Sequence, residues 1–152
     1  MFEDVVAVRD RLADLVDRLD PDAYSGSAAR ELWGVLDQVE RLAAAGKTLL
    51  ARRVAQTHQR TGGTRSAAEE LSRRSGTSTG AAKDTVDTSA RLPEQPTVQG
   101  ALRRGGLSAA QAALISAAVA ADPGQAGRLT ELAPRVSLAE LREECARIRA
   151  AA

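Results

Sequence analysis

The chain is expected to be all-α: a long N-terminal helical hairpin followed by a bundle of short helices that contains a helix-turn-helix-like unit. Three observations carry this. Apolar residues recur at helical spacing through most of the sequence. Aromatics are confined to Phe2, Tyr24 and Trp33, so alanine, leucine and valine supply nearly all the apolar surface, a balance that suits closely packed helices better than a sheet. Serine-led capping signatures recur along the second half, and no period-two alternation competes with them.

In chain order, Phe2, Val5, Val6, Arg9, Leu12, Leu15, Val16 and Leu19 recur at helical spacing and mark a first helix that Asp20-Pro21 ends. Ser27 is expected to start the next, whose apolar positions Leu32, Val35, Leu36, Val39, Leu42, Leu49, Leu50 and Val54 continue to about Arg60. Gly46 interrupts that helix at a cost of about 1 kcal/mol relative to alanine, which predicts a bend or a close helix contact there. The two helices read as an antiparallel hairpin packed through Leu12, Leu15, Leu36 and Leu42, and as a seam for a homodimer through residues 1–60. Gly62-Gly63 ends the hairpin and divides the chain into 1–60 and 61–152.

Beyond it, Ser66 with Glu69, Ser108 with Gln111 and Ser137 with Glu140 have the spacing of a capping box, in which the serine oxygen and the third-position side chain satisfy free amides at a helix start. Asp122-Pro123 opens another helix in a related way. Short helices are expected at about 66–74, 78–92, 95–103, 108–121, 124–133 and 137–150. The longest uncharged run, Gly105 to Ala121, is too weakly apolar to span a bilayer and reads as a buried helix.

Net charge is +1, but the charges are sorted: residues 1–40 carry four basic and ten acidic groups, and residues 41–104 carry twelve and five. This predicts a basic functional face and an acidic appendage, although solvated helix faces give the same pattern. Cys145 is the only cysteine, so no disulfide forms within the chain, and Met1-Phe2-Glu3-Asp4 is acidic where a signal peptide is basic. A cytoplasmic protein with no membrane span is expected.

The stretch "SAAEELSRRSGTSTGAAKDTVDTSARL", residues 66–92, has the layout of two helices meeting at a tight turn. Leu71 is the inward leucine of the first helix, Gly76 supplies the turn, and Ala82, Val86 and Ala90 form an inward stripe of the second. That stripe turns Thr79, Lys83, Asp87 and Arg91 outward along with Thr77 and Ser78. In a DNA-binding unit these meet the groove, with Arg65, Arg73 and Arg74 on the phosphate side. Asp84 and Asp87 oppose that reading, and a plain helical hairpin has the same inward spacing. A second helix, glycine turn, serine cap and helix follow in "ALRRGGLSAAQAALISAA", where Arg103 and Arg104 extend the basic region or complement a helix dipole.

With "GTRSAAEELSRRSGTSTGAAKDTVDTSARLPEQP", "ALRRGGLSAAQA" and "LAELREECARIRAAA", the chain from Gly63 onward resembles the actinobacterial domain-of-unknown-function family 222, the thirteen-E-twelve repeat family. The resemblance covers most of the chain. Members carry such a helical region in front of an HNH endonuclease module, which implies a DNA-associated role, with duplex DNA as the partner.

An HNH nuclease needs histidines for metal and water activation and an asparagine to orient the catalytic histidine. This sequence has His58 alone and no asparagine. A non-catalytic chain without cofactor or metal is expected, either a natural short form or the N-terminal piece of a longer protein, and its end within "RIRAAA" favours the piece. His58, near the end of the long helix, reads as a cation on the helix dipole, and Cys145 as a small core residue. "GTSTG" is not a phosphate loop, because no strand precedes it and no Gly-Lys-Ser/Thr follows. The lack of aromatics in the basic region argues against single-strand binding by base stacking.

Overall fold

A computed structural model describes residues 1–60 and 66–152. The chain is all-α: among the described residues there are eight α-helices and no strand. They form two compact units, Met1–Asp37 and Gln38–Ala152. The long helix contributes to both.

The first unit holds α1 (Phe2–Asp17), one 3-10 turn (Pro21–Ala23) and the first part of α2 (Gly26–Arg60). Asp20 starts the turn by accepting the Asp22 amide at 3.0 Å. Helix α2 begins at Gly26, slightly before the expected Ser27, and Ser25 Oγ accepts the Ala28 amide at 3.3 Å. Helix α1 contains no buried residue. Leu12 and Leu36 are half-buried, whereas Leu15 and Leu42, two of the four leucines expected to pack the hairpin, remain about half exposed. Helix α2 runs unbroken through Gly46, where an added Cβ would meet nothing within 4 Å; the expected close contact is absent.

The second unit contains the rest of α2, then α3 (Ala67–Ser75), α4 (Thr79–Arg91), α5 (Pro96–Arg103), α6 (Ala109–Ala121), α7 (Ala126–Leu132) and α8 (Leu138–Ala151). Helix α6 is central and packs against α4, α5, α7 and α8. Its apolar residues surround the axis, as a helix covered on several sides requires. The core joins Leu92, Val98, Leu102, Leu107, Ile115, Val119, Leu129, Leu141 and Cys145, with Ala45 of α2 at its edge.

All three expected capping boxes form, at Ser66 with Glu69, Ser108 with Gln111 and Ser137 with Glu140. Gln111 has a second role. Its Oε1 accepts the Ser108 amide at 2.9 Å while its Nε2 donates to the Ala133 carbonyl at 3.0 Å, tying the start of α6 to the turn after α7. A glutamate at the same position could cap the helix but could not make the second bond.

Candidate nucleic-acid interface

Two tight turns carry most of the residues singled out by the sequence, and both are built in the same way. At the end of α3, Gly76 adopts φ 64°, and the Thr77 amide reaches back to the Ser72 carbonyl at 3.0 Å. At the end of α5, Gly105 adopts φ 70°, the Gly106 amide reaches the Ala101 carbonyl at 3.0 Å, and the Gly105 amide reaches Leu102 at 2.9 Å. These bonds satisfy the last carbonyls of each helix, and the left-handed residue that permits them is glycine because it has no Cβ to clash. A serine then caps the next helix: Ser78 Oγ accepts the Ala81 amide at 3.1 Å, and Ser108 Oγ the Gln111 amide at 3.1 Å. Each turn follows two arginines, Arg73-Arg74 and Arg103-Arg104.

All four arginines are exposed, and among the described residues only Arg74 joins an ion pair, to Glu70 at 3.1 Å. The Arg104 side chain lies back over Gly100, where its guanidinium would be 3.2 Å from an added Cβ, and its carbonyl accepts from Gln38 Nε2 at 3.1 Å. Thr77, Ser78 and Thr79 are exposed, with Ser78 Oγ engaged as the cap. Thr77 also lines an apolar groove between helices. Lys83 is exposed and paired with Asp87 at 2.7 Å; that hydrogen bond, reinforced by the opposite charge, holds its ammonium above the ordinary lysine value. Arg91 is half-buried in the last turn of α4. Arg65 lies outside the described residues. Thus Arg73, Arg74 and residues 77–79 gather at one turn, Lys83 and Arg91 follow along α4, and Arg103 and Arg104 occupy the other turn.

The inward stripe of α4 differs from the expected one. Ala82 is buried and Val86 half-buried, but Ala90 is exposed, and Thr88 and Ser89 are buried instead. Local hydrogen bonding makes this possible. Thr88 Oγ1 donates to the Asp84 carbonyl at 2.6 Å, and Ser89 Oγ accepts the Arg52 amide from α2 at 2.9 Å. Satisfied hydroxyls enter a packed face at little cost, so apolarity alone misassigns the face. Asp87 is consequently only half-exposed rather than fully outward.

The sequence also left one cross-helix pair unread. His58 Nδ1 lies 2.7 Å from Glu70 Oε2, joining the last turn of α2 to α3, where a lone dipole cation was expected. The twelve residues between them hide the pairing from any helical-spacing rule. Cys145 is fully buried, and burial pushes its thiol above the ordinary value, which suits a core residue. Among the described residues no group of three or more His, Cys, Asp or Glu is arranged to hold a metal ion, and no helix is long and apolar enough to cross a membrane. No family model, curated protein or solved structure matches the chain.

Proposed function

We propose that the chain is a non-catalytic, cytoplasmic DNA-binding or DNA-targeting domain that holds duplex DNA through its basic region, residues 61–104, as part of an HNH-endonuclease-associated system. The observation that carries this reading is the repeated turn: two left-handed glycine turns, each preceded by an arginine pair, with the guanidinium groups of Arg73, Arg103 and Arg104 in no ion pair among the described residues. An exposed, unpaired guanidinium is a ready phosphate ligand, because it releases condensed counterions without first breaking a protein contact. The helix-turn-helix-like layout at 66–92 supports the same reading, and membership of the family-222 helical region is part of the proposal. In it Thr79 and Lys83 are the base-edge candidates of α4, and Lys83 exchanges Asp87 for the nucleic acid.

The direct test is anisotropy of a labelled duplex at low ionic strength. Saturable binding is expected, and Thr79→Ala and Lys83→Ala should change preference among duplex sequences more than total affinity. Reversing Asp14 and Asp17 in α1 should leave affinity intact or raise it. Absence of binding at low salt would defeat the proposal.

A second reading, self-association through residues 1–60, is favoured by a separate observation. Phe2 is 81% exposed and Trp33 76%, and Val5, Val8, Val16 and Val35 are each more than half exposed. So many large apolar side chains left exposed on a small unit support an interaction role for it. Under this reading the chain is a protein interaction or dimerisation module, and it does not need DNA. Light scattering tests it: substitution of the exposed apolar residues should lower the mass without loss of helicity.

A further inference from the structure

The second unit has a groove of about 690 Å³ whose walls come from α2, α3, α4, α6 and α8. Ala51, Ala82, Ala113 and Ala117 line it together with Leu71 and Leu114. The charged residues along it are Lys47, Arg142, Arg149 and a single acid, Asp84. The three cations are exposed and in no ion pair among the described residues. None of the arginine-pair residues of the proposed DNA surface lines it.

The first unit contains an element with the complementary pattern. At 100° per residue, Phe2, Val5, Val6, Val8, Leu12, Leu15 and Val16 of α1 cover about half of the helix circumference, interrupted only by Arg9 and Ala13. Val5, Val8, Leu12 and Leu15 follow the i, i+3, i+7, i+10 spacing of a helix that anchors in a groove. Asp10 and Asp17 border one margin of this face and Asp4 the other. The opposition extends to whole units: residues 1–37 carry nine acidic and four basic groups, while residues 38–152 carry eleven acidic and seventeen basic. Yet α1 buries nothing fully: Val5, Val8 and Leu15 are 60%, 64% and 47% exposed, and Leu12 is half-buried.

We propose that the alanine-walled groove of the second unit receives α1 of a second copy of the chain, reciprocally, so that two copies close a two-fold dimer with two occupied grooves. The inference rests on the self-association reading and adds the receiving surface and its charge logic. Apolar anchors enter the groove, Asp4 beside them meets the cations along its rim, and the net negative charge of the first unit is drawn to the net positive charge of the second. Reciprocity makes the assembly closed, since each copy offers one helix and one groove.

Sedimentation equilibrium of the full chain over a concentration series tests this with two variants, both at exposed positions so that the fold is retained and circular dichroism can verify it. Val5→Asp with Leu15→Asp damages the helix and leaves the groove; Leu50→Glu with Ala110→Trp obstructs the groove and leaves the helix. Each double variant should raise the dimer dissociation constant by roughly a hundredfold or more. Mixing the two should restore a heterodimer, because one intact helix then finds one intact groove. Moderate salt should weaken the wild-type dimer. If the chain dimerises and only the helix variant matters, self-association stands and the groove is not its receptor. If the wild-type chain is monomeric at every concentration, both the groove assignment and the self-association reading fall.

Discussion

Gly76 and Gly105 offer a controlled comparison, because they share a left-handed backbone and a unit but differ in what surrounds them. At Gly76 an added Cβ meets nothing within 4 Å, so alanine there costs only the backbone strain of a non-glycine residue at positive φ, about 1 kcal/mol. At Gly105 the backbone is the same, but the methyl would run into the Gln38 side-chain amide and press on Leu42 Cδ2, 3.2 Å away. Gln38 is exposed and can swing aside, but doing so gives up its 3.1 Å hydrogen bond to the Arg104 carbonyl. A bond of this kind contributes about 1 kcal/mol net. Gly105→Ala should therefore cost about 2 kcal/mol, roughly twice the cost of Gly76→Ala. Urea unfolding followed by far-ultraviolet circular dichroism reads the difference as a shift in midpoint at constant slope. Equal losses for the two variants would refute the role given to Gln38, and no loss for Gly76→Ala would refute the strain argument itself.

Three further outcomes follow from single residues. Gln111→Glu places the commoner capping-box residue at the start of α6 yet should destabilise by about 1–2 kcal/mol, because it deletes the donor to Ala133 and sets a carboxylate against that carbonyl; a gain in stability would contradict this. Cys145 should resist iodoacetamide in the native state at about pH 8 and react promptly once urea exposes it, since burial disfavours the thiolate; rapid native labelling would contradict the packing described. Glu144 is held below its ordinary value chiefly by the hydrogen bond from Arg128, and Glu140 by the Ser137 amide. Both return to the ordinary value on unfolding, so their stabilisation is complete at neutral pH and is lost as pH falls below the usual glutamate range through the depressed folded values. Glu144→Gln should thus flatten the loss of stability between about pH 7 and pH 3, and parallel losses for variant and wild type would refute the assignment.

Features that are local in the chain were legible in the sequence. The three serine capping boxes, the left-handed glycine after α3 and the extent of the long helix each depend on residues within a few positions of one another, and the structure has them where the spacing puts them. Features assembled from distant segments were not. The buried face of α4 was misread because Thr88 and Ser89 look like surface residues until their partners, one of them a backbone amide of α2, are known. The His58–Glu70 contact spans the α2–α3 connection, and the groove draws on five helices, so neither leaves a periodic trace. Of the proposed interface, the arginine pairs and the repeated order of helix, glycine turn, serine cap and helix were legible, because each lies within a few residues; the structure adds the Gln38 contact at the second turn, which comes from a distant segment. The opposition of Asp87 to a DNA-facing α4 was legible, and its four-residue spacing from Lys83 becomes an ion pair in the structure.

The central claim, that the arginine pairs before the two glycine turns hold duplex DNA, is tested most directly by the salt dependence of binding. About four phosphate contacts should make log affinity fall against log salt with a slope of about −3.6, a loss of roughly a hundredfold between about 50 and 200 mM salt. Arg73→Glu combined with Arg103→Glu removes one exposed cation from each turn without touching an ion pair, so the fold should persist while the slope falls to about half. A wild-type chain with no salt-dependent binding, or a double reversal that leaves the slope unchanged, would contradict the claim.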